Sequence, residues 1–172
     1  MSWAELDPLE GPATVAAAGR EGMVLLDAGD QALMAAHLKR LDADDRINRF
    51  CCVTTDDIIE QYVSGIRYDS DIVLGSLEAG RLVGLVHAAV FDTPEGRVCE
   101  IGISVDADRR KAGIGKRMLA ASMAVAASRG IRRADVQYMT ANRSMAALAR
   151  SAGGRLQADG SESSAAFLTA PG

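Results

Sequence analysis

Apolar positions along this chain recur at two spacings, about two residues and about 3.6, and the switches between them mark out strands and helices. Met23 to Leu26 is a short apolar run that reads as a strand. Ala28-Gly29-Asp30 then supplies a turn and an N-cap, and Leu33, Met34, His37, Leu38 and Leu41 recur at helical spacing, predicting a helix over Gln31–Leu41. Thr54 or Thr55 can cap a second helix over Asp56–Ser64, with Ile58, Ile59, Tyr62 and Val63 as its apolar face and Gly65 as its stop. Strands follow at about 71–78 and 81–91, joined by the hairpin-type turn Glu78-Ala79-Gly80-Arg81. Asp92 to Gly96 makes another turn, leading into a strand from Val98 to Val105. Ile114, Met118, Ser122 and Val125 share one face of a helix that ends at Gly130. A strand over Ala134–Met139, a helix from Asn142 to Ser151 and a closing β hairpin complete the order. Residues 1–20, rich in Ala, Pro, Gly and acid, read as a flexible arm, and 21–172 as a single mixed α/β domain.

Between the strand ending at Val105 and the helix that follows lies Arg110-Lys111-Ala112-Gly113-Ile114-Gly115, an R-x-x-G-x-G run. A glycine-rich turn from strand to helix leaves backbone N–H groups unpaired at the positive end of the helix dipole. Gly113 and Gly115 lack the Cβ atoms that would keep a phosphate from that backbone. Arg109, Arg110, Lys111, Lys116 and Arg117 surround it with positive charge. The run is therefore a candidate anion cradle, most naturally for a pyrophosphate. It is not a Walker A loop, because Gly115-Lys116 is followed by Arg117. Nor is it a dinucleotide fingerprint, because Met118 stands where the third glycine belongs. A glycine-rich, merely solvated helix start is the plain alternative.

Composition narrows the partners. The chain has 172 residues, 48% hydrophobic and 24% charged, with a net charge of −4, so it lacks the broad basic field of a nucleic-acid binder. Its basic cluster is local and suits a small anion. Cys51, Cys52 and Cys99 are odd in number and imply no disulfide framework, and no Cys/His spacing suggests a metal site. No apolar run approaches the ~20 residues of a membrane span and no leader pattern opens the chain, so a cytoplasmic location is expected.

The strand, the basic first position and the G-x-G together resemble the acetyl-CoA-binding loop of the GNAT N-acetyltransferase superfamily. The element order resembles that fold from residue 22 onward, a central twisted, mostly antiparallel sheet flanked by helices. Three further segments are similar to the catalytic domain of bacterial protein-lysine acetyltransferases of the Pat type. They are Leu41 to Phe50, ending in an arginine and an aromatic; Cys99 to Val105, with Glu100 near its start; and Asn142 to Arg150.

Transfer of an acetyl group from a thioester to an amine requires the amine to lose a proton, since a lysine is only about 0.04% neutral at pH 7. It also requires stabilisation of the carbonyl oxygen as charge develops. Glu100 is the candidate general base for direct attack. Strand alternation puts it on one face with Gly102 and Ser104, and a partly apolar cleft would raise its pKa. A solvent-facing or ion-paired structural glutamate is the alternative. The resemblance implies that the strand carrying Ile103, Ser104 and Val105 pairs its backbone with the pantetheine arm. It implies that Arg110, Lys111, Ala112, Gly113, Ile114, Gly115 and Lys116 hold the diphosphate. It also implies that Asn142 contacts the arm near the thioester and that Arg150 reaches the phosphate region. Asn142 as a plain N-cap is compatible with that role.

Many GNAT enzymes carry a tyrosine on the last helix that protonates the leaving thiolate. Ala149 stands at that position here, as in the Pat-type pattern, and Gly154 replaces a usual phenylalanine. Tyr138 is a possible substitute acid, though strand aromatics usually belong to the core. His87 reads as a satisfied strand residue and His37 as a helix-face residue. The acceptor implied is a primary amine, on a small molecule or a protein lysine, and homodimers are common among such look-alikes. A non-catalytic CoA-binding sensor is the competing reading, and a binder of another phosphate compound is a third.

Overall fold

The computed structural model describes residues 20–169; the expected N-terminal arm and its Trp3 lie outside them, apart from Arg20. One seven-stranded sheet runs through the molecule. Its strands are β1 (Gly22–Leu25), β2 (Ile72–Glu78), β3 (Arg81–Thr93), β4 (Gly96–Val105), β5 (Arg133–Met139), β6 (Arg155–Asp159) and β7 (Glu162–Leu168). The order across the sheet is β1-β2-β3-β4-β5-β7-β6. Every pairing is antiparallel except β4 with β5, which run parallel. That parallel pair needs a crossover, and α4 (Ile114–Ser128) supplies it.

The turn between β2 and β3 holds Ala79 at φ 49° and Gly80 at φ 74°, the left-handed pair that a tight hairpin of this twist demands. Within β3, Ser76 pairs with Gly84 but Leu77 with Leu82, so Val83 is bulged. The bulge turns both Val83 and Gly84 toward α4. A Cβ on Gly84 would come within 2.6 Å of the Met118 sulfur, so glycine lets the helix settle against the strand. The freed Val83 carbonyl accepts the amide of Asp106, which seats the loop after β4.

Two cores cover the two faces. On one side α4 and α5 (Arg143–Ser151) bury Met118, Leu119 and Ala149 against Val86, Ile101 and Val136. On the other, α1 (Gln31–Arg40) and α3 (Asp56–Ser64) bury Met34, Leu38, Ile59 and Val63 against Val73, Leu77 and Leu85. Tyr138 is buried in the first core and is not available as an acid.

Between α1 and α3 lies a helix that the hydrophobic pattern does not announce, α2 (Ala43–Phe50). It is short and mostly polar, and only Ile47 and Phe50, both half-buried, give it an apolar edge. Its caps do the specifying: the Asp42 carboxylate accepts the Asp45 amide at 2.8 Å, Asp44 and Asp45 favour the positive end of the dipole, and Cys51 closes it at φ 57°.

Candidate functional site

Strands β4 and β5 pair only through Val98, Cys99 and Glu100, opposite Arg133, Ala134 and Asp135. Beyond Glu100 they part, and Ile101 to Val105 keep their ladder to β3 on one side while the other edge faces a groove. The groove, about 430 Å³, is closed by α2, the loop after β4, and the start of α5. Of the residues expected to hold the cofactor, Ile103, Ser104, Val105, Arg110, Lys111, Gly113, Ile114, Gly115, Lys116 and Asn142 line it. Ala112 and Arg150 do not; both are exposed, and the Ala112 carbonyl accepts from Arg117.

The loop is shaped by Lys111 at φ 63° and Gly113 at φ 75°, two left-handed residues that bring the chain round into α4. No side chain caps α4, so the amides of its first turn remain available. A Cβ on Gly115 would meet only ordinary contacts, 3.6 Å from Leu148 and 3.8 Å from Val105. Protein packing does not demand glycine there.

The cations divide into two sets. Arg109 turns to Glu78 at 2.5 Å, and Arg110 reaches across the groove to Asp45 of α2, also at 2.5 Å. Among the described residues, Lys111, Lys116 and Arg117 have no carboxylate partner. The resulting positive field, with unpaired amides behind it, is what a diphosphate requires.

Below the loop sits Asp106, which is 3% exposed and holds Arg40 and Arg81 at 2.9 and 2.6 Å. Burial opposes its ionisation, but the guanidinium groups of Arg81 and Arg40 outweigh it and keep the carboxyl well below the usual range. His37 is wholly buried rather than on an open helix face. Its Nδ1 lies 2.9 Å from Asp106 Oδ1 and 3.1 Å from the Leu82 carbonyl, and only the latter is well aligned. The ring N–H therefore goes to Leu82, and Nε2 accepts from the Ser104 hydroxyl at 2.8 Å. Ser104, His37 and Asp106 have the residue types of a nucleophilic triad. The enclosed ring and the direction of its N–H make them a brace between α1 and β4 instead.

At the point where the strands part, a second space of about 290 Å³ opens beside the groove, sharing Arg49, Ile101, Gly102 and Gln137 with it. Phe50, Tyr62 and Phe91 wall this slot, and Glu100 and His87 face it. Glu100 shares its strand face with Gly102 and Ser104 as alternation predicts, but it is exposed, not enclosed in an apolar cleft. Asn142 caps α5, its side-chain oxygen accepting the Met145 amide at 3.0 Å, and lines the groove as well.

Arg49 lies flat on Gly102: a Cβ there would be 2.3 Å from the guanidinium carbon. The cation also packs 4.8 Å from the Phe50 ring centre and 5.4 Å from that of Tyr62. Its Nη2 donates to the Tyr62 hydroxyl at 2.6 Å. That hydroxyl is 2.6 Å from His87 Nδ1, and His87 Nε2 is 3.1 Å from the buried carboxylate of Asp71. Neither Tyr62 nor Asp71 is marked by any local motif. The alternation that sets His87 across from Gly102 is the one sequence signal that could have placed it near Glu100.

No group of His, Cys, Asp and Glu among the described residues could hold a metal ion, and no described helix is long and apolar enough to cross a membrane.

Residues 35–153 match the model of the acetyltransferase (GNAT) family. Solved structures agree on the fold. The GNAT domain of S. lividans PAT is 16% identical, with a TM-score of 0.73 over 85% of this chain and 89% of that one. A ribosomal-protein-alanine N-acetyltransferase from Brucella melitensis is 18% identical, with a TM-score of 0.67 over 85% and 98%. A protein from Salmonella typhimurium, yncA, solved with its cofactor acetyl-CoA, is 14% identical, with a TM-score of 0.67 over 88% and 95%. No curated protein matches by sequence. The fold is thus that of an acyltransferase, and this chain belongs to the GNAT N-acetyltransferase family.

Proposed function

We propose that this protein transfers the acetyl group of acetyl-CoA to a primary amine by direct attack, with Glu100 as general base. The observation that carries the reading is the placement of Glu100 at the last β4 residue that pairs with β5, where the slot it faces adjoins the groove lined by the glycine loop. Acetyl-CoA, when bound, supplies an activated thioester carbonyl. Lys111, Lys116 and the first-turn amides of α4 hold its diphosphate, and the free edge of Ile103 to Val105 orients its arm. Gly115 leaves the room for it. The amine enters through the aromatic slot, where Glu100 takes its proton directly or through one water. A backbone N–H of the unpaired β4 edge serves the developing oxyanion.

Glu100→Gln should leave acetyl-CoA affinity nearly unchanged by calorimetry and lower turnover by about 10²-fold near neutral pH. Unchanged turnover removes Glu100 from the role.

One observation favours a CoA-binding sensor that performs no transfer: Ala149, fully buried, supplies no acid on α5. The change at Gly154 does not add to it, because a Cβ there would strike the Phe167 ring at 2.7 Å, and that ring already fills the space. A thiol is a fair leaving group without assistance, with an ordinary pKa of about 8.5. Thiol release against a panel of small amines and a lysine-bearing protein separates the two readings.

A further inference from the structure

Behind the acceptor slot, three side chains from distant parts of the chain form one hydrogen-bonded line. Tyr62 comes from α3, His87 from the middle of β3, and Asp71 from the turn before β2. Asp71 accepts from the Val90 amide at 3.0 Å and from both the amide and the guanidinium of Arg67. Burial opposes its charge, but these donors and His87 outweigh it and hold the carboxyl below its usual range. An ionised Asp71 requires the proton of His87 on Nε2. That leaves the Nδ1 lone pair to accept the Tyr62 O–H at 2.6 Å. The line starts at the wall of the slot and ends on a buried anion.

The chemistry proposed for this site has a use for such a line. A primary ammonium must shed two protons to become a neutral amide N–H, one before it attacks and one as the C–N bond forms. Glu100 can hold only one of them. Resting on that acetyl-transfer reading, we propose that Tyr62, backed by His87 and Asp71, is a second proton-handling residue of the slot and takes the proton the amine sheds on attack.

Glu100 receives the first proton and frees the nitrogen lone pair. As that pair forms the C–N bond, the nitrogen's second proton passes to the Tyr62 oxygen while the Tyr62 proton moves to His87 Nδ1. His87 is then an imidazolium neutralised by Asp71. The C–S bond breaks, the sulfur leaves with the bonding pair, and His87 returns its proton to the thiolate through Tyr62 and solvent in the slot. The proton on Glu100 goes to water, so one net proton is released per amide formed. Tyr62 is the catalytic residue in this scheme; His87 and Asp71 are positioning residues that act through it.

The groups facing His87 suit the task. Tyr62 and Asp71 bond it, Arg49 and Arg67 add positive charge nearby, and Glu100 stands on the adjacent strand. Burial lowers the His87 pKa, Asp71 opposes that, and Arg49 and Arg67 reinforce it, so the ring is neutral and able to accept at pH 7.

The test uses Tyr62→Phe, which keeps the ring and removes the hydroxyl, and His87→Gln, which keeps a hydrogen-bonding side chain that cannot take the proton. Each should lower kcat by about 30-fold with the acetyl-CoA KM within about twofold of wild type. The part of the acid limb that His87 contributes, displaced below the ordinary imidazole range by burial, should be lost in His87→Gln while the part due to Glu100 remains. In the ligand-free protein, nitrogen NMR should find the His87 proton on Nε2 at pH 7, with the Nδ1 signal moving in Tyr62→Phe. Folded variants that keep wild-type kcat, or a His87 proton on Nδ1, overturn the proposal. If wild type releases no thiol with any amine, the acetyl-transfer reading falls and takes this one with it. If wild type is active and both variants match it, this one falls alone.

Discussion

The two halves of the site are built in opposite ways. The loop proposed to grip the diphosphate is written in consecutive residues: a strand edge, Lys111 and Gly113 in left-handed conformations, Gly115, and an uncapped helix start. The acceptor slot has no such segment. Arg49, Tyr62, His87 and Glu100 come from four elements and meet because α2 and α3 pack over β3 and β4 at one register. A ligand shared by a whole family can be gripped by main chain, whose shape depends on local φ and ψ. A reaction that must handle protons needs side chains at hydrogen-bond distance, which only tertiary structure provides.

That contrast predicts that the two halves fail separately. Gly115→Asp should break the loop alone. The new Cβ has room, so the fold should survive, but the carboxylate enters the groove. We expect acetyl-CoA affinity to fall by about 100-fold, equivalent to ~2.7 kcal/mol, with an unchanged melting temperature. A loss of folding instead would show that Gly115 serves packing after all.

Asp106→Asn sharpens the comparison, because the loop that looks local rests on distant residues. Asp106 opens it and is held by Arg40 and Arg81. Removing the charge should cost about 2 kcal/mol by urea denaturation, since the buried carboxylate loses its charge-assisted bonds to the half-exposed Arg40 and Arg81. The pH dependence has a definite sign. A carboxyl held below its usual range contributes fully above pH ~4 and loses its contribution as pH falls toward its folded-state value. Acid should therefore loosen this anchor in the wild type, and the asparagine variant should lose that part of the dependence.

The smallest effect should come from Lys39→Ala. Lys39 pairs with Glu60, bridging α1 and α3 at the surface, and Glu60 is more than half exposed. We expect no measurable change in melting temperature or in turnover, because solvent screens such a pair. A clear effect on turnover would mean that the packing of α1 against α3 controls the slot.

The same contrast explains what could be read from sequence. Strands and helices with a buried face follow from their spacing, as α1, α3 and α4 do, and the β4 alternation correctly sets Glu100, Gly102 and Ser104 on one face. The helix α2 escapes notice because only half-buried Ile47 and Phe50 mark its apolar edge in a short polar segment, and its Asp42 cap and left-handed Cys51 set its bounds. His37 lies at helical spacing among leucines, and that very spacing places it inside, where Leu82 and Ser104 satisfy it. The Tyr62–His87–Asp71 line joins residues 25 and 16 positions apart, through a register set in part by the Val83 bulge. No local pattern carries that information. Ala112 sits within the glycine motif yet off the groove, exposed and with its carbonyl turned to the Arg117 guanidinium.

A sheet divided along part of its middle is mechanically two plates joined by a short seam. Here the seam is three residue pairs long, Val98 to Glu100 against Arg133 to Asp135. Anything lying lengthwise in the opening bears on both plates at once. Occupancy should therefore stiffen the molecule as a whole, and amide exchange at Arg133 to Asp135, remote from the diphosphate loop, should slow when acetyl-CoA is added.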